Sequence, residues 1–148
     1  MKVAVLMGSS SDAEGMKAAR EMLSRFGVEV DERVLSAHRN PDEVAAFARA
    51  ARENGYAALI CGAGMAAHLA GVVAAHTTLP VVGVPLSRSA LNGVDALYST
   101  VQMPPGIPVA TVAIDGASNA AVLVVEMLAI ADAGLAARLE EFRAGGAR

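Results

Sequence analysis

The chain has no tryptophan, one cysteine, three phenylalanines and two tyrosines among its 148 residues. Its core must therefore be built from Ala, Val, Leu, Ile and Met rather than from large rings. A lone cysteine, Cys61, can form no internal disulfide and seeds no cysteine cluster, which fits a reducing cytosol. An excess of basic charge is missing as well. At a formal net charge of −3 no general basic surface invites nucleic acid, so an anionic ligand needs a local site. No apolar run reaches the roughly 18–20 residues of a membrane span. The richest stretch, Ala120 to Ala131, is short and is interrupted by Glu126. The apolar N-terminal run ends in Gly8-Ser9-Ser10-Ser11-Asp12 rather than in a leader cleavage site. These absences predict a cytoplasmic protein without nucleic-acid or membrane partners.

What is present is an alternation of short β-branched runs with helical patterns, and the length suits one domain over 1–148. Lys2–Met7, Val28–Leu35, Ala57–Cys61, Val81–Val84 and Val109–Ile114 read as five strands. All but the second are almost wholly apolar, as parallel strands covered on both faces should be. Ser11-Asp12-Ala13-Glu14 has capping-box spacing for a first helix, which Gly27 stops. Asn40-Pro41-Asp42-Glu43 offers a cap, a first-turn proline and acidic residues for a second, closed by Gly55. Further helices are expected over Ala66–Ala75, Asn92–Gln102, Ser118–Ala133 and Leu135–Ala144. Such alternation predicts an α/β, flavodoxin-like three-layer sandwich with a five-stranded parallel sheet in the order 2-1-3-4-5. From Ala117 to Ala137 the only charges are Glu126 and Asp132. A helix apolar all round asks for cover on every side, and subunit contact over 118–144 is the economical source of it.

In a doubly wound sheet, ligands bind beyond the carboxyl ends of the strands, where the strand order reverses. Three loops meet there: Gly8-Ser9-Ser10-Ser11-Asp12, Ser36-Ala37-His38-Arg39-Asn40-Pro41, and Gly62-Ala63-Gly64-Met65-Ala66-Ala67-His68-Leu69. The first combines a glycine turn, hydroxyls and a helix start, which together form an anion cradle. It lacks the Gly-Lys-Ser/Thr of triphosphatase loops and the Gly-x-Gly-x-x-Gly of dinucleotide sites. Its simpler reading is that Ser11 or Asp12 only caps the helix. In the second loop Arg39 can fork onto a phosphate, and the His38 imidazole suits proton transfer near neutrality. In the third, small residues admit close backbone approach, and His68 follows four residues later. His76, at the end of that helix, reads as structural or surface. No spacing matches a zinc site, no Gly-x-Ser-x-Gly elbow occurs, and Cys61 reads as strand-end core. The inventory suits acid–base chemistry on a phosphorylated small molecule.

These three loops, with Leu91-Asn92-Gly93-Val94-Asp95 and the segment from Val101 to Thr111, resemble the signatures of the class I N5-carboxyaminoimidazole ribonucleotide mutases. The resemblance spans nearly the whole chain. It implies an octamer of flavodoxin-like subunits that moves a carboxylate from N5 to C4 of the imidazole nucleotide in purine biosynthesis, without ATP, metal or organic cofactor. It further implies His38 and His68 as the catalytic pair, with His38 the general acid/base. Substrate would be held by Ser9, Ser11, Asp12, Ser36, Ala37, Arg39, Ala63, Gly64 and Leu69, the serines and Arg39 chiefly through phosphate and Asp12 through ribose hydroxyls. Ser10, Ala13 and Ala70 stand where the family often has Lys, Trp and Pro, and Met65 where Gly is also frequent. None of these departures removes a polar group assigned to the site, so altered loop packing is expected. Two rivals remain: the related class II carboxylase, which uses CO2 directly, and a non-catalytic phosphosugar- or flavin-binding module. The absence of aromatic side chains from the three loops speaks against a flavin.

Overall fold

The computed structural model describes residues 1–147. Five parallel strands form one sheet in the order β2-β1-β3-β4-β5, as the strand–helix alternation predicts. They are β1 (Lys2–Met7), β2 (Glu29–Val34), β3 (Tyr56–Gly64), β4 (Val81–Leu86) and β5 (Ala110–Thr111). The helices are α1 (Ala13–Arg25), α2 (Pro41–Ala50), α3 (Leu69–His76), α4 (Val94–Val101), α5 (Ala117–Ala129) and α6 (Ala133–Ala144).

Successive strand side chains point to opposite faces, so a fully apolar strand serves two cores at once. Val3, Val5 and Met7 of β1 pack with Met16, Leu23, Val124 and Leu135 on one side. Ala4 and Leu6 pack with Val44, Leu69 and Val73 on the other. The sheet thus carries α1 and α5, backed by α6, on one face, and α2 and α3 on the opposite one. β2 is the polar exception because it is an edge: only one flank pairs, and its charged side chains reach solvent.

Several local expectations need correction. The capping-box reading of Ser11 to Glu14 fails: residues 10–12 form a separate 3-10 turn whose cap is Ser9, its side chain accepting from the Ser11 N–H. Asp12 makes no side-chain cap. Nor does Asn40 cap α2; its amide oxygen takes the Ser36 N–H at 2.8 Å and its NH2 group donates to Glu43 at 2.7 Å. The third helix begins at Leu69 rather than Ala66, because β3 runs three residues past Cys61 and the chain needs a turn to reverse. β5 keeps only two residues of the expected six; beyond it, Val112 and Asp115 still donate singly to Gly83 and Pro85. The apolar α5 finds much of its cover within the chain, against α1 and α6. A further exposed apolar stripe lies on α4, where Val94, Tyr98 and Val101 follow Leu91 at helical spacing. Among the described residues, no helix is long and apolar enough to cross a membrane.

Candidate active site

The carboxyl ends of β1, β2 and β3 open into one cleft of about 310 Å³, lined by Gly8, Ser9, Ser11, Asp12, Ser36, Ala37, His38, Arg39, Ala63, Gly64, Met65, Ala66, His68, Leu69 and Arg88. All eleven residues singled out as candidates in the sequence share this lining. The volume lies at the lower end of the range for small-molecule sites. No Phe or Tyr ring contributes to it, which leaves nothing to stack on an isoalloxazine.

Each wall has a local cause. Gly8 donates its N–H to the Gly62 carbonyl at 3.1 Å, holding the first loop against the third. A methyl group at Gly8 would stand 3.6 Å from both the Ala63 methyl and the Asp12 carboxylate, so the loops meet at van der Waals range. Ser9 and Ser11 face each other, with hydroxyls 3.0 Å apart. Ser36 Oγ accepts from the Arg39 N–H at 3.2 Å, which turns the second loop back toward α2. In the third loop Met65 takes φ = 57°, a left-handed conformation that costs a side chain about 1–2 kcal/mol. That turn ends β3 and leads the chain into α3, with His68 at the helix entrance.

The two histidines meet across the cleft. His38 Nε2 lies 2.7 Å from His68 Nδ1, and the rings are set edge to face at 80°. One proton must occupy that contact, donated by one ring and accepted by the other. When the outer nitrogen of His38 takes up a proton, the shared proton can pass to His68, and the reverse transfer lets that outer nitrogen give its proton back. The arrangement is suited to give a proton and take one back within a single turnover.

Asp12 is 5% exposed. Burial pushes its carboxyl above the ordinary range, while a backbone hydrogen bond from Ser9 and the charges of Arg88 and then Arg39 pull the other way. Cys61 is buried beneath the site, and burial alone pushes its thiol up, so it is an inert core group. His76 lies elsewhere, with Nδ1 at 3.5 Å from an Arg49 nitrogen. Among the described residues no three His, Cys, Asp or Glu side chains gather closely enough to hold a metal ion.

Arg88 is the lining residue that lies outside the three sequence motifs. It follows β4, and the strand order 2-1-3-4-5 places that strand's carboxyl end next to β3. The rule that picked the other three loops therefore reaches it if extended by one strand.

Comparison with known proteins adds an independent line. Residues 2–148 match the family model described as AIR carboxylase. The chain is 52% identical to the N5-carboxyaminoimidazole ribonucleotide mutase of Pyrococcus abyssi, covering 96% of this chain and 82% of that one. It is 51% identical to the protein of the same name from Escherichia coli K12, covering 96% and 85%. The crystal structure of Treponema denticola PurE superposes with a TM-score of 0.90 at 28% identity, over 99% of this chain and 91% of that one. With the match running almost from end to end and all the site loops inside it, this chain belongs to the AIR carboxylase family.

Proposed function

We infer that this chain is an isomerase of purine biosynthesis that converts N5-carboxyaminoimidazole ribonucleotide to its C4-carboxylated isomer. The observation that carries the chemistry is the 2.7 Å contact between His38 and His68 in a cleft that also holds an anion cradle. Ser9, Ser11, Ser36 and Arg39 bind the phosphate, through hydroxyls, the N–H groups of the 3-10 turn and the guanidinium fork. Asp12 accepts from ribose hydroxyls. Ala37, Ala63, Gly64 and Leu69 form the small apolar walls around the reacting carboxyl group.

The reaction conserves protons, and one acid/base pair suffices for it. The C–N bond of the N-carboxylate breaks, CO2 departs, and the nitrogen takes a proton from His38. The ring carbon C4 then attacks the retained CO2, and the new C–C bond leaves a hydrogen on C4 that must go. His38, now a base, removes it and restores the aromatic ring. His68 holds His38 in orientation and carries the shared proton between the two steps. Retention of CO2 is a matter of effective concentration: caged beside C4, it recombines before it escapes.

A cytoplasmic homo-oligomer, an octamer by family resemblance, completes the reading, with the chain acting as one unit. The α4 stripe supports association, since Tyr98 and Leu91 are each 62% exposed and Val94 and Val101 more than 40%. The C-terminal helices at 118–144 contribute contacts as well, from Ile130, which is 88% exposed. Light scattering on the eluting peak of a sizing column measures the mass.

The decisive test offers the purified protein the N5-carboxylated nucleotide and, separately, aminoimidazole ribonucleotide with bicarbonate. Turnover of the first at low CO2 supports the mutase; turnover of the second alone makes it a carboxylase that uses CO2 directly. His38→Asn should lower kcat by about 10²–10⁴-fold and leave nucleotide affinity nearly unchanged. Equal loss of both would make His38 a binding residue.

A further inference from the structure

We propose that Arg88 is a second phosphate-binding arginine of the cleft, approaching the substrate from the wall opposite Arg39. The proposal deepens the mutase reading and rests on it for the identity of the substrate, though the anion site itself can be tested without turnover.

Arg88 is presented by a loop held on both sides. Ser87, just before it, donates its N–H to one Asp115 oxygen at 3.0 Å and its hydroxyl to the other at 2.5 Å. Ser89, just after it, donates to Asp95 at 2.8 Å and accepts from the Leu91 N–H at 3.1 Å. Asp115 is itself fixed: it takes φ = 58° and its N–H reaches the Pro85 carbonyl at 2.9 Å. Two carboxylates thus flank Arg88, and both are committed to serines. Elsewhere in the protein Arg20, Arg33 and Arg143 each meet a carboxylate. Among the described residues Arg88 makes no such pair, and neither does Arg39. Both guanidiniums thus face the cleft with no carboxylate ion pair to hold them.

Position and charge then say what the pair can hold. β2 and β4 lie three strand spacings apart in the sheet, so the loops bearing Arg39 and Arg88 start about 14 Å from each other. Both arginines line the same cleft as Asp12, and their charges pull its carboxyl down, Arg88 ahead of Arg39. Asp12 directly follows the Ser9–Ser11 cradle. A phosphate dianion bound there lies near a buried carboxylate, and one guanidinium leaves that corner strongly negative. Two offset it.

The reaction itself excludes the other anionic end of the substrate as Arg88's target. The migrating carboxylate must become neutral CO2. A cation paired with it would stabilise the starting carboxylate more than the transition state and slow the first step. Phosphate keeps its charge throughout, so a cation there binds ground and transition states alike, lowering KM and leaving kcat unchanged.

The test titrates the full-length wild type and Arg88→Gln with ribose 5-phosphate and with the phosphate-free nucleoside, alongside steady-state kinetics. The expected result is a loss of ribose 5-phosphate affinity of about ten- to a hundredfold in Arg88→Gln, the range for a charged hydrogen-bonding partner. KM should rise by a similar factor, kcat should stay within about threefold, and nucleoside affinity should hold. Arg88→Lys, which keeps the charge and loses the fork, should recover part of the affinity. Unchanged ribose 5-phosphate binding in Arg88→Gln overturns the proposal, as does a fall in kcat at constant KM. A wild type that binds ribose 5-phosphate through Arg88 but turns over no carboxylated nucleotide would refute the mutase reading and leave the phosphate site standing.

Discussion

Gly83 lies midway along β4, the one strand of the sheet that presses against α4 and β5 together. A methyl group added there would sit 2.3 Å from Thr100 Cγ2, 2.9 Å from Val109 Cγ1 and 3.3 Å from the Ala70 methyl. Carbon atoms prefer about 3.5–4.0 Å, so at least two neighbours must yield. Neither does so easily. Thr100 is 2% exposed and its hydroxyl donates to the Ala96 carbonyl at 2.7 Å, so rotating the methyl away breaks a buried hydrogen bond. The backbone cannot retreat either, since β4 is paired on both edges. Gly83→Ala should therefore cost near the top of the overpacking range, about 3 kcal/mol, and lower the midpoint by roughly 6–12 °C at this chain length. Thr100→Ser removes the worst contact and keeps the hydroxyl; alone it should cost about 1 kcal/mol for the lost methyl. Combined, the two should be more stable than Gly83→Ala alone, with a coupling of about 1–2 kcal/mol. Thermal unfolding of the four proteins at one fixed concentration measures this, because association shifts midpoints. A Gly83→Ala midpoint equal to that of wild type, or strict additivity in the double variant, would refute the reasoning.

Burial raises the Asp12 carboxyl above its ordinary range, so its contribution to stability is fully present below that range and is lost as pH rises through its elevated folded value. Asp12→Asn should accordingly melt higher than wild type at pH 7 and equal to it near pH 3, while binding nucleotide more weakly. Asp31 runs the other way. Burial opposes its charge, but the Tyr56 hydroxyl and Arg33 outweigh that and hold its carboxyl below the usual range. Tyr56→Phe should destabilise by about 1 kcal/mol at neutral pH, and urea midpoints should converge with wild type as acid protonates Asp31. Met65→Gly removes a left-handed side chain and should raise stability by up to about 1 kcal/mol; a fall in the melting temperature would mean that the exposed Met65 side chain packs against something.

The fold was legible because buried parallel strands announce themselves. Runs such as Val3 to Met7 and Ala58 to Cys61 must be apolar on both faces, and each was placed within a few residues. β5 was overestimated for the converse reason: Val109 to Ile114 is just as apolar, yet only Ala110 and Thr111 share regular pairing, and no local pattern tells a paired residue from one that merely packs. The expected caps at Asp12 and Asn40 are absent although both residue types serve helix ends by default, and only the tertiary fold shows that one faces a cleft and the other ties a loop. The three site loops could be read from the strand-order rule. Arg88 could not be read from its neighbours, since nothing in Ser87-Arg88-Ser89 distinguishes a guanidinium aimed at a ligand from one in water. The difference lies in Asp115, 27 residues further on, which takes up Ser87.

The loops that carry His38 and His68 spring from strands that do not touch: β1 runs between β2 and β3. Two interstrand gaps, about 9.6 Å, must be spanned by two imidazole stems for the rings to meet, with little length to spare. The ring contact is thus a gauge of how the first strand seats its neighbours. A substitution in the middle of Val3 to Met7 that shifts either flank by half an ångström would leave every catalytic atom in place chemically and still unmake the pair, and the imidazole resonances of the two histidines would register that slippage before any loss of helix did.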